Sequence, residues 1–327
     1  MNTVTVLIPG VMSIMDSGNP SSVLVTGGRG FVGRTAVKLL QRHGYRLISV
    51  DQVPAKGEES AQCRQVACNV CDAEHMEGLF QREHIAAIVH LAAILPTAAA
   101  REPSLATRVN IHGSHSLLQM AKQYGVRRFL FGSSLSVYGT CPVDQVISEE
   151  DHAAPGDLYG AAKLYVEQLG EAYRRAHGLE FVSLRIGRVV GPGARSATSG
   201  WRSEIFERLG APGEAEITIP YSESERILLV HVEDVAEMLL RLLRSPQIVH
   251  GVYNAACESV MVGELRSQVE RLNPRVRVKL GGEAVVGNPR RVDWSRFFEE
   301  FGFAVVPMLR RLQEISAGNT SAGSIDR

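Results

Sequence analysis

This chain of 327 residues has no charge bias: 35 lysines and arginines offset 35 aspartates and glutamates. Without a net field it has nothing to hold nucleic acid or an anionic membrane surface, so its partners are expected among small molecules and other protein subunits. Cysteine is scarce. Five residues (Cys63, Cys68, Cys71, Cys141 and Cys257) make an odd number with no regular framework, which speaks against a disulfide scaffold and for reduced thiols in a cytoplasmic protein. Cys68 and Cys71 form a C-x-x-C, but no second pair and no histidine stands at zinc-ligand spacing. No metal site is expected, and His112 and His115 read as helix-surface residues. Long apolar runs are missing too. The stretch VTVLIPGVMSIM lacks a basic leader and is broken by Pro9 and Gly10, so neither a signal peptide nor a membrane span is expected. Residues 1–20 read as an extension ahead of the first domain, and the small, polar SAGNTSAGSIDR (316–327) as a disordered tail. No internal repeat is evident.

What is present is a 45% hydrophobic chain able to bury a sizeable core, as one large domain or one domain with a small lobe. Its most informative stretch is SSVLVTGGRGFVG, residues 21–33. A short apolar run, Val23 to Val25, leads into glycines at 27, 28, 30 and 33, and an amphipathic segment begins at Phe31. Strand, glycine turn and helix start follow in order. Glycine lets the backbone approach a diphosphate that Cβ atoms would block, and the helix opening at Phe31 and Val32 presents unpaired N–H groups and a positive dipole end. The alternative is a tight turn that binds nothing. Against it, the apolar run YRLISVD ends in Asp51, 24 residues beyond Gly27, where a carboxylate can accept from adenosine ribose hydroxyls. A carboxylate there repels a 2′-phosphate, so NAD is expected over NADP, with Arg29 the one nearby cation able to soften that preference.

Strand and helix patterns alternate after Asp51. RQVAC, IAAIVHLAA, RRFLFGSS and LEFVSLRI read as strands; DAEHMEGLFQRE, Ser104 to Tyr124 and Asp157 to His177 read as helices. The predicted fold is α/β, a Rossmann-type doubly wound parallel sheet over 21–190, with helices on both faces. Ligands of such sheets bind at the carboxyl ends of strands: Gly27, Asp51, Asn69 with Val70, His90 to Ala93, Ser133 with Ser134, and Ile186 to Arg188. Beyond Val190 the alternation fails. A loop, a short helix (WRSEIFERLG), two strands (EITIPY, RILLVHV), an amphipathic helix (VEDVAEMLLRLLR) and two short terminal helices are expected to form a smaller C-terminal substrate lobe, 191–315, interleaved with the sheet.

DLYGAAKLYVEQL sets Tyr159 and Lys163 four apart on a helical pattern, hence on one face. A phenol near pKa 10 is a poor base, but an ammonium one turn away and an oxidised nicotinamide would favour the phenolate. Such a pair also occurs as a plain surface pair. Ser134, 25 residues upstream at a strand end, adds a hydroxyl to hold a reacting substrate oxygen.

The set TGGRGFVG, Asp51, HLAA, VNIHGSHSLLQMA, FGSSLSVYG, YGAAK and LRIGRVVGPG resembles the extended short-chain dehydrogenase/reductase family, also called the NAD-dependent epimerase/dehydratase family. The resemblance runs from about residue 21 to the helix after His231, with a looser echo in PRRVDWSRFFEEFGF. It implies a catalytic triad of Ser134, Tyr159 and Lys163, and Asn110 as a structural asparagine. Asn69 stands where an aspartate usually lies beside the adenine, with Val70 packing on the ring. NAD contacts are implied at Gly27, Gly30, Phe31, Val32, Gly33, Asp51, Leu91, Ala92, Ala93 and Ile186, and a homodimer through the helices that begin near Ser104 and Asp157.

In that family a tyrosinate removes a hydroxyl proton while hydride passes to nicotinamide. Leu135 and Ser136 stand where dehydratases and decarboxylases carry acids, so both eliminations are disfavoured. SSLSVYG is most similar to the 4-epimerases, with Ser136 at their substrate-contacting Ser/Thr. Yet Arg188 replaces the asparagine that touches the diphosphate of nucleotide sugars. The following segments look more like the branch acting on hydroxy acids, uronates or amino alcohols. Arg188 is therefore expected to clamp a substrate carboxylate, its fork matching that group; the alternative is an ion pair with a lobe carboxylate such as Glu204. Three functions follow: an NAD-dependent dehydrogenase of a small hydroxyl-bearing substrate, a UDP-hexose 4-epimerase that keeps NAD bound, or an NAD-binding regulator without catalysis.

Overall fold

The computed structural model describes residues 21–53, 60–194 and 199–318. The expectations for residues 1–20 and for the tail beyond 318 lie outside them. The chain opens with β1 (Ser22–Thr26), α1 (Phe31–Arg42), β2 (Leu47–Asp51), β3 (Cys63–Ala67), α2 (Ala73–Arg82) and β4 (Ile85–His90). Then come α3 (Pro96–Arg101), α4 (Pro103–Ala106), a π-helical turn (Thr107–Gly113) running into α5 (Ser114–Gln123), and β5 (Arg128–Ser134) with a 3₁₀ turn, Leu135–Tyr138. Next are β6 (Val146–Ile147), α6 (Leu158–His177) and β7 (Glu180–Ile186). The rest comprises β8 (Arg188–Val190), α7 (Trp201–Glu207), β9 (Ala215–Tyr221), β10 (Arg226–His231), α8 (Val232–Arg244), β11 (Val252–Asn254) and β12 (Glu258–Met261). It ends in α9 (Val262–Leu272), β13 (Val276–Glu283), β14 (Arg291–Val292), α10 (Ser295–Phe301) and α11 (Met308–Ser316).

Seven strands form one parallel sheet in the order β11-β7-β5-β4-β1-β2-β3. Chain order reverses between β1 and β4, which creates the crevice where ligands of doubly wound sheets bind. Central strands are buried on both faces, so they read as unbroken apolar runs; β4, IAAIVH, is buried throughout. One face packs under α1 and α8, and the helix α8 belongs to the second half of the chain, as β11 does. α8 buries nine of its residues, among them Val235, Leu239 and Leu243. Its C-terminal carbonyls are capped from the sheet: the buried Arg128 donates Nη1 to Leu242 O and Leu243 O, at 2.7 and 2.8 Å, and Nε to Glu180 at 2.7 Å.

Three details differ from the sequence reading. The helix expected over 104–124 contains a π-helical turn in its first half. IAAIVHLAA ends as a strand at His90, leaving Leu91 to Ala93 as a turn over the glycines. VYNAACESVMVGELRSQVERLNPRVRVKL, unread in the sequence, supplies β11, β12, α9 and β13. The lobe core lies between α7, β9, β10, α9 and α11, around Ile205, Ile217, Leu229, Leu265 and Leu312. No helix among the described residues is long and apolar enough to cross a membrane.

Candidate active site

The glycine turn is shaped by close backbone contacts. Gly27 has φ +69°, and a Cβ on it would lie 2.7 Å from Ala92 N, so β1 and the turn after β4 meet backbone to backbone. A Cβ on Gly33 would stand 2.0 Å from Gly27 O, and one on Gly30 3.1 Å from the same oxygen. Helix α1 begins after Gly30 without a side-chain cap and without an acidic residue in its first turn. Phe31, Val32 and Gly33 therefore open a helix whose N–H groups are available to an anion. The residues present fit a dinucleotide: a tight turn that Cβ atoms would force apart, an uncapped helix start, and a carboxylate beside them.

Asp51 ends β2 next to that turn. Its carboxylate accepts from the N–H groups of Arg29 and Val53, both at 3.1 Å, so it is fixed to the glycine turn. Cys68 N donates to Asp51 O at 2.9 Å, which brings Asn69 and Val70 alongside; Asn69 Oδ1 accepts from Cys71 N. Val70 also approaches the π-helical turn, where a Cβ on Gly113 would be 3.0 Å from Val70 Cγ2. Just beyond, Cys68, Asp72 and His75 place one ligand atom each within 4.8 Å of one another. The sequence reading overlooked this histidine. Asp72 is spent as the N-cap of α2, and burial pushes the Cys68 thiol up to about 11.

The turn Leu91–Ala92–Ala93 is locked from behind. Asn110, in the π-helical turn, donates Nδ2 to Ile94 O at 2.9 Å and accepts from Ile94 N at 2.7 Å. Ser114 donates to Asn110 O at 2.8 Å, which fixes the ring of His90: Nε2–H donates to Ser114 Oγ and Nδ1 accepts from Thr26, at 2.8 and 2.6 Å. Burial, then the charge of Lys163, hold this histidine down at about 3, so it is neutral.

Ser134, Tyr159 and Lys163 meet at the carboxyl end of β5. The Ser134 hydroxyl lies 3.0 Å from Ser136 Oγ and close enough to the buried Tyr159 phenol to favour its anion. Asp157 caps α6 by accepting from Gly160 N at 2.7 Å, and a Cβ on Gly160 would stand 2.4 Å from Ser136 O. Glycine is needed after Tyr159 because the helix abuts the 3₁₀ turn. Lys163 is buried, donates to Gly132 O at 2.6 Å, and lies 5.6 Å from the centroid of the Tyr159 ring. The spacing of Tyr159 and Lys163 predicts an ammonium that lowers the phenol. Instead burial pushes Tyr159 up to about 12, opposed by Ser134, while burial brings Lys163 down to about 7 against the pull of Glu167. One turn further, Glu167 takes a hydrogen bond from Ser133 at 2.5 Å and pairs with Arg185 at 2.7 Å, tying α6 to β5 and β7. Removing one partner of so buried a pair costs about 3–5 kcal/mol.

Ile186 is in register with Ser134 across β5 and β7. Arg188, two residues on, starts β8 beside Leu229 of β10. It donates Nη2 to Val286 O at 2.7 Å and makes no ion pair among the described residues; Glu204 is not its partner. Three residues beyond the sequence-derived set share this cleft: Arg202, Tyr221 and Asn288, whose Nδ2 reaches Ser136 Oγ at 3.4 Å. They come from segments far apart in the chain, and no local spacing announced them.

Residues 23–256 match the family described as the NAD dependent epimerase/dehydratase family. A UDP-glucose 4-epimerase of Halalkalibacterium halodurans is 30% identical over 173 residues, 52% of this chain and 51% of the epimerase. The chain thus matches about half the length of that relative. A mitochondrial L-threonine 3-dehydrogenase of Sus scrofa is 22% identical over 273 residues, 82% of this chain and 72% of the dehydrogenase. Among solved structures, a UDP-glucose 4-epimerase of Thermotoga maritima with UDP-glucose is 25% identical, with a TM-score of 0.77 over 91% of this chain and 98% of that one. The family match over most of the chain, on a parallel sheet that gathers the glycine turn, Asp51, Ser134, Tyr159 and Lys163 at one edge, places this protein in the NAD-dependent epimerase/dehydratase family of enzymes.

Proposed function

We propose that this protein is an NAD-dependent oxidoreductase acting on a hydroxyl-bearing carbon of a small sugar-like or hydroxy-acid substrate, with Tyr159 as general base. The observation that carries this is the buried Lys163, bonded to Gly132 O at the strand end that carries Ser134 and 5.6 Å from the Tyr159 ring, at the carboxyl end of the sheet that also holds the glycine turn. The cofactor is held by Gly27, Gly30, Phe31, Val32 and Gly33 at its diphosphate, by Asp51 at a ribose, by Asn69 and Val70 at the adenine, and by Leu91, Ala92, Ala93 and Ile186 along its length. When bound, NAD supplies a two-electron acceptor and, oxidised, a positive charge that favours the phenolate. Ser134 holds the substrate oxygen, and Tyr159 takes the proton from it at the phenol oxygen. Lys163 keeps the floor of the site in place through Gly132 and contributes charge near the phenol. Ser136 of the 3₁₀ turn and Arg188 at the start of β8 contact the substrate, and the lobe, residues 191–315, closes over the cofactor held by 21–190. A homodimer in the cytoplasm completes the reading.

A second reading, a UDP-hexose 4-epimerase, is favoured by the likeness to the Halalkalibacterium halodurans epimerase and by Ser136 Oγ standing 3.0 Å from Ser134. Product analysis separates the two. The protein is incubated with NAD and aldoses, uronates, aldonates, L-threonine or UDP-hexoses, and both reduced cofactor and sugar products are followed. Net reduction stoichiometric with an oxidised product supports the dehydrogenase. A UDP-hexose converted to its epimer without net reduction, by protein that retains NAD through dialysis, overturns it in favour of the epimerase.

A further inference from the structure

Where β8 meets the lobe, Arg188 and Arg202 stand half-buried, and no carboxylate among the described residues neutralises either. Arg188 lies over the Tyr221 ring, 5.9 Å from its centroid, and Arg202 is close enough to feel both the Tyr221 phenol and the charge of Arg188. Arg188 Nη1 and Arg202 Nε are buried and, among the described residues, have no hydrogen-bond partner. Among the described residues neither arginine is in an ion pair, and the nearby Glu225 is committed: it takes Arg290 at 3.0 Å and the Val285 N–H at 3.0 Å. Both arginines lose affinity for their protons through burial first, and Arg202 then through the charge of Arg188. Two like charges withdrawn from water with donors to spare are costly unless an anion joins them.

The position of the pair limits that anion. Val286 O holds Arg188, and Asn288, two residues later, reaches Ser136 Oγ beside Ser134. A span of two residues separates Cα atoms by no more than about 7 Å. Arg188 and the hydroxyl-holding serines therefore flank one short segment, with Arg202 beside Arg188, a separation suited to an anion a few bonds from the reacting carbon.

We infer that Arg188 and Arg202, set by Tyr221, form a two-armed carboxylate subsite, so that the substrate is a compact hydroxy acid or uronate. The two forks offer parallel N–H donors to a planar carboxylate, and a neutral aldose leaves both charges uncompensated. This rests on the oxidoreductase reading only for what happens at the hydroxyl; the anion site stands on the lobe.

Thermal unfolding of the NAD-loaded protein tests it, with D-glucuronate, D-galacturonate, D-gluconate, L-threonate, D-galactose, inorganic phosphate and UDP as probes. At least one of the carboxylates raises Tm, and D-galactose, the neutral counterpart of galacturonate, does not. Arg202→Met and Arg202→Lys each weaken that carboxylate's binding at least tenfold without lowering the Tm of the ligand-free protein. Lysine keeps the charge and loses the fork, so a fold defect is excluded if both variants unfold as the wild type does. Tyr159→Phe, inactive under the oxidoreductase reading, still shows the carboxylate shift, which separates failure of the clamp from failure of the chemistry. Stabilisation by UDP or phosphate in place of carboxylates overturns the inference in favour of a diphosphate site. So does a shift that survives both Arg202 variants, or no shift with any anion.

Discussion

Lys163 gives its ammonium to the backbone carbonyl of Gly132, 2.6 Å away, and not to the phenol of Tyr159. Gly132 precedes Ser133 and Ser134 at the end of β5, so the lysine fixes the strand end that carries the substrate-holding hydroxyl while placing its charge 5.6 Å from the tyrosine ring. Lys163→Met removes both effects. The expected outcome is a fall in kcat of about 100-fold, ~3 kcal/mol in the barrier, with the alkaline rise of the pH–rate profile moved upward. A profile with an unshifted limb would show that the lysine's charge does not reach the phenol.

Cofactor choice rests on Asp51. Asp51→Ala weakens NAD about tenfold, ~1.4 kcal/mol, and leaves NADP unchanged or tighter, measured by titration of each cofactor. An equal loss for both would mean that Asp51 acts only through its hydrogen bonds to Arg29 and Val53.

The turn tolerates no Cβ at Gly33. Gly33→Ala forces the new atom against Gly27 O, and the predicted result is a loss of NAD affinity of at least about 100-fold, ~2.7 kcal/mol, with a lowered Tm. Gly282→Ala, where a Cβ meets nothing within 4 Å, leaves both unchanged. Calorimetric titration and thermal unfolding read the two quantities.

Acid stability depends on buried histidines. His90 is held down at about 3 by burial and then Lys163, and His231 at about 3 by burial and then Arg311, from an ordinary 6.5. The folded value lies below the unfolded one, so the stability each contributes is complete above pH 6.5 and is lost as pH falls towards about 3. In that window the unfolded chain binds the extra protons. His90→Gln reduces proton uptake on unfolding by about one, seen as a shallower fall of the urea midpoint between those pH values. An unchanged slope would contradict the neutral, doubly bonded ring.

The sheet and the site's backbone were readable because their signals are local. Gly30 and Gly33 must be glycine for contacts with Gly27 inside the same turn, Asp51 ends an apolar run, and Tyr159 and Lys163 share a helix face. The need for glycine at 160 could be understood only once α6 was seen against Ser136 O. What stayed hidden depends on distant segments. Arg128 caps α8 from the far side of 114 residues, Asn110 reaches the turn at Ile94 through a π-helical turn, and Arg202, Tyr221 and Asn288 join Arg188 and Ser136 only when the lobe folds. The phenol's upward shift was also beyond the sequence, since it follows from burial, which spacing does not report.

The central claim, that Tyr159 is the base of an NAD-dependent oxidation, is tested most directly by turnover of Tyr159→Phe beside the wild type at the reduced-nicotinamide absorbance band, on whichever substrate the wild type oxidises, with NAD affinity measured in parallel. The account predicts a loss of kcat of at least about 1000-fold, ~4 kcal/mol, with NAD affinity nearly intact. Near-normal turnover by the variant would contradict it.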